Sequence, residues 1–220
     1  MKVLGNIHLV WRPEKGKARI SVGTIKKSVT EGITFQYNEK NINLAKEKGF
    51  LCYEGFPDTT KKYYENVVDI FGQRLTRSER PDTKDFYDFW HVDTLKKEDK
   101  YYMLAFTQGL LPTDNYEFLA DFNPKKNLTF VSEIAGLTNL KINSSLLSVG
   151  DKLRYELDRN NPHDKYAVKV FKENLFLGYI KLIHNRVFYK ANKNDIEAIL
   201  TVQSIEKNGV LNRVFVKVSF

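Results

Sequence analysis

Cysteine is all but missing from this 220-residue chain: Cys52 stands alone, which excludes an internal disulfide framework and any cysteine-based zinc cluster. Set in the apolar run GFLCYEGF, it reads as a buried thiol serving as a small hydrophobe. Long apolar runs are lacking as well. None approaches the ~20 residues that span a bilayer, and the first residues show no signal-peptide succession of charged, apolar and small side chains. The expectation is a cytoplasmic, reducing location and no membrane partner. Histidine is sparse: His8, His91, His163 and His184 are scattered without metal-binding spacing. No Gly-rich phosphate loop, Ser elbow or Cys/His pairing is present, and Asp85 with Asp88 fits a solvated helix face better than an acid/base dyad. These absences lead us to expect no catalytic residue, no metal and no cofactor, and hence a protein that is not an enzyme.

What is present is a foldable composition. Apolar residues make up 42% and aromatic residues 13%, enough for a packed core. The 35 Lys and Arg against 27 Asp and Glu leave a net charge of +8, which favours polyanionic partners through phosphate neutralisation. From Leu128 to Phe220 the count is 14 basic against 9 acidic side chains, a balance of +5.

The hydrophobic period changes along the chain. Val3 to Trp11, Ala18 to Ile25 and Ile33 to Tyr37 have strand character, with Ile20, Val22 and Ile25 as inward positions. Helical spacing follows over Glu39 to Lys48, Tyr63 to Leu75, Thr83 to Trp90 and Tyr101 to Gly109. The stretch Leu111 to Asn127, with Pro112, Asp114 and Pro124, looks like a junction. Beyond it the period falls to about two. Strand candidates are Leu128 to Ile134, Lys152 to Leu157, Ala167 to Lys172, Phe176 to Ile180, Glu197 to Glu206 and Arg213 to Ser219, with a helix at Ile183 to Ala191. We therefore expect an α+β chain. A mixed helix-and-strand domain over residues 1–122 precedes a small β-barrel with one helix over residues 127–220.

The segment ELDRNNPHDKYAVKV, Glu156 to Val170, holds the most chemical information. Asn160-Asn161-Pro162 imposes a tight turn, because proline fixes its own φ and drives its neighbour out of the helical region. His163 and Asp164 then stand at the lip of the next strand. A carboxylate there either braces the loop by accepting backbone N–H bonds or accepts from a ligand hydroxyl.

This segment resembles the signature of the HIRAN domain. The resemblance rests on Ile134-Ala135-Gly136, Gly150, the Asn-Pro-x-Asp-x-x-Ala-Val sequence from Asn161 to Val168, and Leu177-Gly178-Tyr179-Ile180. It implies an OB-like barrel that binds single-stranded DNA, with 3′ ends as the candidate target, or another nucleic acid. The implied site lies between the loop after the first barrel strand, with Thr138 and Asn139, and the turn carrying Asn161, His163, Asp164 and Tyr166. Asp164 corresponds to the carboxylate that meets a terminal 3′-hydroxyl, His163 replaces a stacking aromatic, and Tyr179 with Lys181 falls where base and phosphate contacts are made. The chain departs from the family at Leu137-Thr138-Asn139-Leu140, where the end-binding member carries an arginine and tyrosines.

Val22-Gly23-Thr24-Ile25, Ile33 to Tyr37, Gly55-Phe56-Pro57-Asp58 and the Phe71 to Leu75 region resemble, with shorter motifs, the N-terminal subdomain of HipA-type kinases in bacterial HIRAN proteins. The sequence has no room for the kinase domain, so no ATP site is carried over. Arg74, Arg77 and Arg80 read as a solvated surface interleaved with acids more readily than as an anion site. The functional expectation is a cytoplasmic nucleic-acid-binding protein in a bacterial or phage-related DNA transaction or defence process. The alternative is an antitoxin-like regulatory subunit that docks a partner protein through residues 1–120.

Overall fold

In the computed structural model, which describes residues 2–14, 16–75 and 83–220, strand β1 (Leu4–Trp11) turns back antiparallel into β2 (Ile20–Ser28), and β2 pairs with β3 (Gly32–Tyr37). Helix α1 (Glu39–Lys46) follows, its N-cap Asn38 accepting from the Asn41 N–H. A short strand β4 (Lys62–Tyr63), helix α2 (Val67–Gly72), helix α3 (Thr83–Trp90), helix α4 (Lys100–Thr107) and strand β5 (Tyr116–Phe122) come next. The first sheet has the order β4-β3-β2-β1-β5.

The remaining strands close a barrel. They are β6 (Thr129–Ala135), β7 (Lys152–Leu157), β8 (Val168–Lys172), β9 (Leu175–Ile180), β10 (Ile199–Asn208) and β11 (Val210–Ser219), with helix α5 (Arg186–Asn192) between β9 and β10. Going round the barrel the order is β10-β11-β6-β9-β8-β7, antiparallel at each step. The α+β class with a C-terminal barrel is therefore as the sequence indicated. Two of the seams are short: β6 meets β9 only at Ile134–Ile180 and Ala135–Tyr179, and β7 meets β10 only at Leu153–Leu200 and Lys152–Thr201.

The chain divides into two compact units. One comprises the described residues of Leu4–Asp88 and Val92–Asp121, the other those of Met1–Val3, Phe89–His91 and Phe122–Phe220. In the first, Phe35, Phe56, Phe71 and Phe118 are fully buried, with ring centroids 4.7 to 5.1 Å apart along the chain Phe56–Phe71, Phe35–Phe56, Phe71–Phe118 and Phe35–Phe71. In the second, Val131, Val168, Val170, Leu177, Val214 and Val216 are sealed inside the barrel. Each fully buried aliphatic side chain of this size contributes about 1.5–3 kcal/mol.

Several expectations need correcting. Tyr63 does not open a helix: it pairs with Phe35 across β3 and β4, its ring 4.8 Å from Phe56, and α2 begins only at Val67. Aromatic cross-strand packing outweighs the helical spacing there. The stretch expected to be a junction contains β5, whose Glu117, Phe118, Leu119 and Ala120 are all buried. A strand covered on both faces shows no alternation, so its period was invisible. Helix α5 starts three residues later than expected, because Ile183 adopts a left-handed backbone (φ 72°) that ends any earlier helical turn. Cys52 is half-buried and not sealed. Arg74 is no surface cation: its guanidinium is buried, pairs bidentately with Asp114 at 2.5 and 2.9 Å, donates to the Gly109 carbonyl at 2.9 Å and lies over the rings of Tyr116 and Phe118. Arg77 and Arg80 lie outside the described residues. Among the described residues no helix is long and apolar enough to cross a membrane.

Candidate functional site

The turn between β7 and β8 is built by its own side chains. Asn161 Oδ1 accepts from the N–H groups of His163 and Asp164 at 3.0 and 3.1 Å, folding the chain around Pro162. Asp164 Oδ1 accepts from the Tyr166 N–H at 2.9 Å, and its carbonyl accepts from Ala167 N–H at 2.9 Å. The Asp158 N–H closes the loop on the Ala167 carbonyl at 2.9 Å. Both roles weighed for the Asp164 carboxylate are thus compatible: it braces the loop, and it remains half-buried, not sealed. A carboxylate offers about four lone-pair sites, so the bond from the Tyr166 N–H and one from the Asn185 amide leave acceptor capacity.

Helix α5 and the residue just before it support the loop from a second side. Asn185, only 1% exposed, donates from Nδ2 to Asp164 Oδ2 at 2.6 Å, and the Tyr189 hydroxyl donates to the Ala167 carbonyl at 3.0 Å. The Tyr166 and Tyr189 rings meet edge-on at 5.4 Å. Burial pushes the Tyr189 hydroxyl pKa up, Arg159 opposes the rise, and the carboxylates of Asp164 and Asp158 add to it, which places these groups in one field.

Tyr179 reaches this neighbourhood because Gly178 permits it. Gly178 has φ 125°, and a Cβ there would sit 2.3 Å from the Ala135 carbonyl oxygen. Only glycine lets β9 approach β6 so closely, pairing Tyr179 with Ala135 on one side and Lys169 on the other. Asp158 accepts from Asn161 Nδ2 at 3.1 Å and pairs with Lys169 at 3.3 Å, and hydrogen bonding from Asn161 holds its pKa below the usual carboxylate value.

The structure brings together Asn161, Asp164 and Tyr166, with His163 exposed on the same loop. Thr138 and Asn139 are exposed in a 3₁₀ turn (Leu137–Asn139) that leaves β6 just past Ala135, the partner of Tyr179. Lys181 does not belong to an exposed site. Its ammonium is 0% exposed and pairs with Glu133 at 3.0 Å, and Arg213 meets the same carboxylate at 3.1 Å, so its charge is already neutralised inside the protein. Sequence reasoning missed Asn185, Arg186 and Tyr189, which lay in the expected helix with nothing to show which face meets the loop. Among the described residues no group of three or more His, Cys, Asp or Glu side chains is placed to hold a metal ion.

The family model of the HIRAN domain matches residues 127–219. This stretch is a HIRAN domain. Two solved structures are similar to part of the chain. The HIRAN domain of human HLTF shares 18% identity with a TM-score of 0.34, covering 41% of this chain and 74% of that one. A protein from Lactobacillus plantarum shares 16% identity with a TM-score of 0.33, covering 43% and 96%. No curated protein matches the chain.

The net charge sits in the unit that contains the HIRAN domain. The unit that contains it carries 17 Lys and Arg against 9 Asp and Glu, which is +8, whereas the other unit carries 18 of each and is neutral.

Proposed function

We propose that the HIRAN barrel binds single-stranded nucleic acid, DNA first among the candidates, and receives a strand end at Asp164 without catalysing a reaction. The observation that carries this reading is the Asp164 carboxylate. It is held from two directions, by its own loop and by Asn185, stays partly open to solvent, and is flanked by tyrosine rings in the positively charged unit. A fixed acceptor beside aromatic faces is suited to a terminal hydroxyl with a neighbouring base, and stacking on such rings contributes about 1–3 kcal/mol per base. The departure at Leu137–Leu140 removes a cation and rings from the loop after β6, so the 3′-hydroxyl preference rests on Asp164.

Fluorescence anisotropy with labelled single strands ending in a 3′-hydroxyl or a 3′-phosphate tests the reading. Tighter binding of the hydroxyl end, lost in Asp164→Ala, supports it. Absence of binding at low salt removes it. Cleavage of the strand when magnesium or manganese is added would remove the non-catalytic part.

The neutral unit has no excess charge to spend on a polyanion. We assign it, as a HipA-N-like unit, the role of meeting a protein partner. Co-purification with a partner that survives deletion of the barrel supports this assignment.

A further inference from the structure

We propose that the phosphate backbone of the bound strand is gripped by Arg159, Lys165 and Arg186, set around the rings of Tyr166 and Tyr189. This deepens the nucleic-acid reading above and rests on it. The positions from which a phosphate contact was expected do not provide one: residues 137–140 carry no cation, and Lys181 is buried on Glu133. The charge has to come from elsewhere on the barrel.

Many of the other barrel cations are already committed. Arg154 pairs with Glu156, Lys169 with Asp158 at 3.3 Å, Lys172 with Asp151 at 3.0 Å, and Arg213 with Glu133 and Glu206. Around the two tyrosines the pattern differs. The Arg159 guanidinium lies 5.9 Å from the Tyr189 ring centroid, the Arg186 guanidinium 5.8 Å and the Lys165 ammonium 5.1 Å from that of Tyr166. Arg159 and Lys165 are exposed and form no ion pair among the described residues. Three cations supplied by one loop and the start of α5 converge on two half-buried rings that themselves meet at 5.4 Å.

Such a cluster suits a ligand that is anionic and aromatic together. A carboxylate would satisfy the cations and leave the rings unused. A nucleotide uses both, with a phosphodiester between the cations and a base against a ring face. Because the Tyr189 hydroxyl anchors the Ala167 carbonyl and Asn185 anchors Asp164, this cluster and the carboxylate share one rigid support. A strand whose terminal sugar meets Asp164 would therefore run its next phosphates over the α5 side of the loop.

The test is the salt dependence of anisotropy-measured affinity for a 3′-hydroxyl oligo-dT, using the full chain. Each cation that neutralises a phosphate on a single strand contributes about 0.7 to the log–log slope. Arg159→Ala with Lys165→Ala is expected to lower the slope by about 1.4 and to retain the preference for a 3′-hydroxyl over a 3′-phosphate end. Arg154→Ala with Lys172→Ala, on the β7–β8 face, is expected to leave the slope unchanged, and near-ultraviolet circular dichroism checks that both double variants fold. An unchanged slope in the first variant, or an equal fall in the second, overturns the proposal while wild-type binding preserves the reading beneath it. A wild-type chain that binds no strand overturns both.

Discussion

Asn185 Nδ2 donates to Asp164 Oδ2 at 2.6 Å, joining two residues 21 positions apart in sequence. The bond turns a loop carboxylate into a fixed one, because the other oxygen is already held by the Tyr166 N–H. Asn185 is 1% exposed, so its orientation is set by packing and not by solvent.

Replacing Asn185 by alanine should therefore act on binding as well as stability. We expect the preference for a 3′-hydroxyl end to fall by about fivefold, the equivalent of one ordinary hydrogen bond of about 1 kcal/mol, with thermal stability reduced by a comparable amount. Anisotropy with the two strand ends, read beside a melting curve, checks both. A stability loss with unchanged end preference would show that Asn185 only packs.

Lys181 should behave in the opposite way. Lys181→Met takes one buried cation away from the buried Glu133 carboxylate, which Arg213 still meets, and is expected to destabilise the chain by about 3 kcal/mol. Strand affinity at temperatures where the variant is folded should not change. Adding Glu133→Leu removes the buried carboxylate and should recover much of the loss, measured by urea denaturation.

Much of the barrel was legible because its strands alternate and its turns are punctuated: β7 runs Lys152–Leu157, as its pattern indicated, and Asn161-Pro162 forms the turn that its chemistry required. The loop half of the site, Asn161 to Tyr166, was local and could be read. The other half was not. Asn185 and Tyr189 act through tertiary contacts whose direction depends on where α5 begins, and that start is set by the left-handed Ile183, a conformation isoleucine rarely adopts. Lys181 was misplaced for a related reason. Its neighbour Ile180 faces the core, but Lys181 follows the end of β9, where strict alternation no longer decides exposure.

Asp158 supplies a pH dependence. Its pKa is lowered, chiefly by the Asn161 amide and further by Lys169, so the folded state prefers the ionised form. The folded chain then binds fewer protons than the unfolded one, and stability rises with pH through the acid range. The contribution is complete above the unfolded carboxylate value of about 3.9 and is lost as pH falls through the lower folded pKa. Asp158→Asn should flatten that part of the pH–stability curve in chemical denaturation. If wild type and variant lose stability in parallel below about pH 4, the Asp158 hydrogen bonds contribute nothing to it.

Buried tyrosines of the N-terminal unit are expected to lower stability at alkaline pH. Burial raises the pKa values of Tyr37, Tyr53, Tyr101 and Tyr116, with Tyr116 pushed up to about 12. The Tyr37 hydroxyl shows why: it donates to the Phe56 carbonyl at 2.7 Å and accepts from the Tyr53 N–H at 2.8 Å, so ionisation would discard a buried donor bond as well as bury a charge. Between about pH 10, the unperturbed tyrosine value, and the raised folded values, the unfolded chain ionises first. The folded state then holds more protons, and stability falls as pH rises across that window. Absorbance at the phenolate band should show these rings titrating only with unfolding, in one cooperative step. Smooth, independent titration of all the tyrosines near pH 10, with circular dichroism unchanged, would mean that the aromatic core admits solvent.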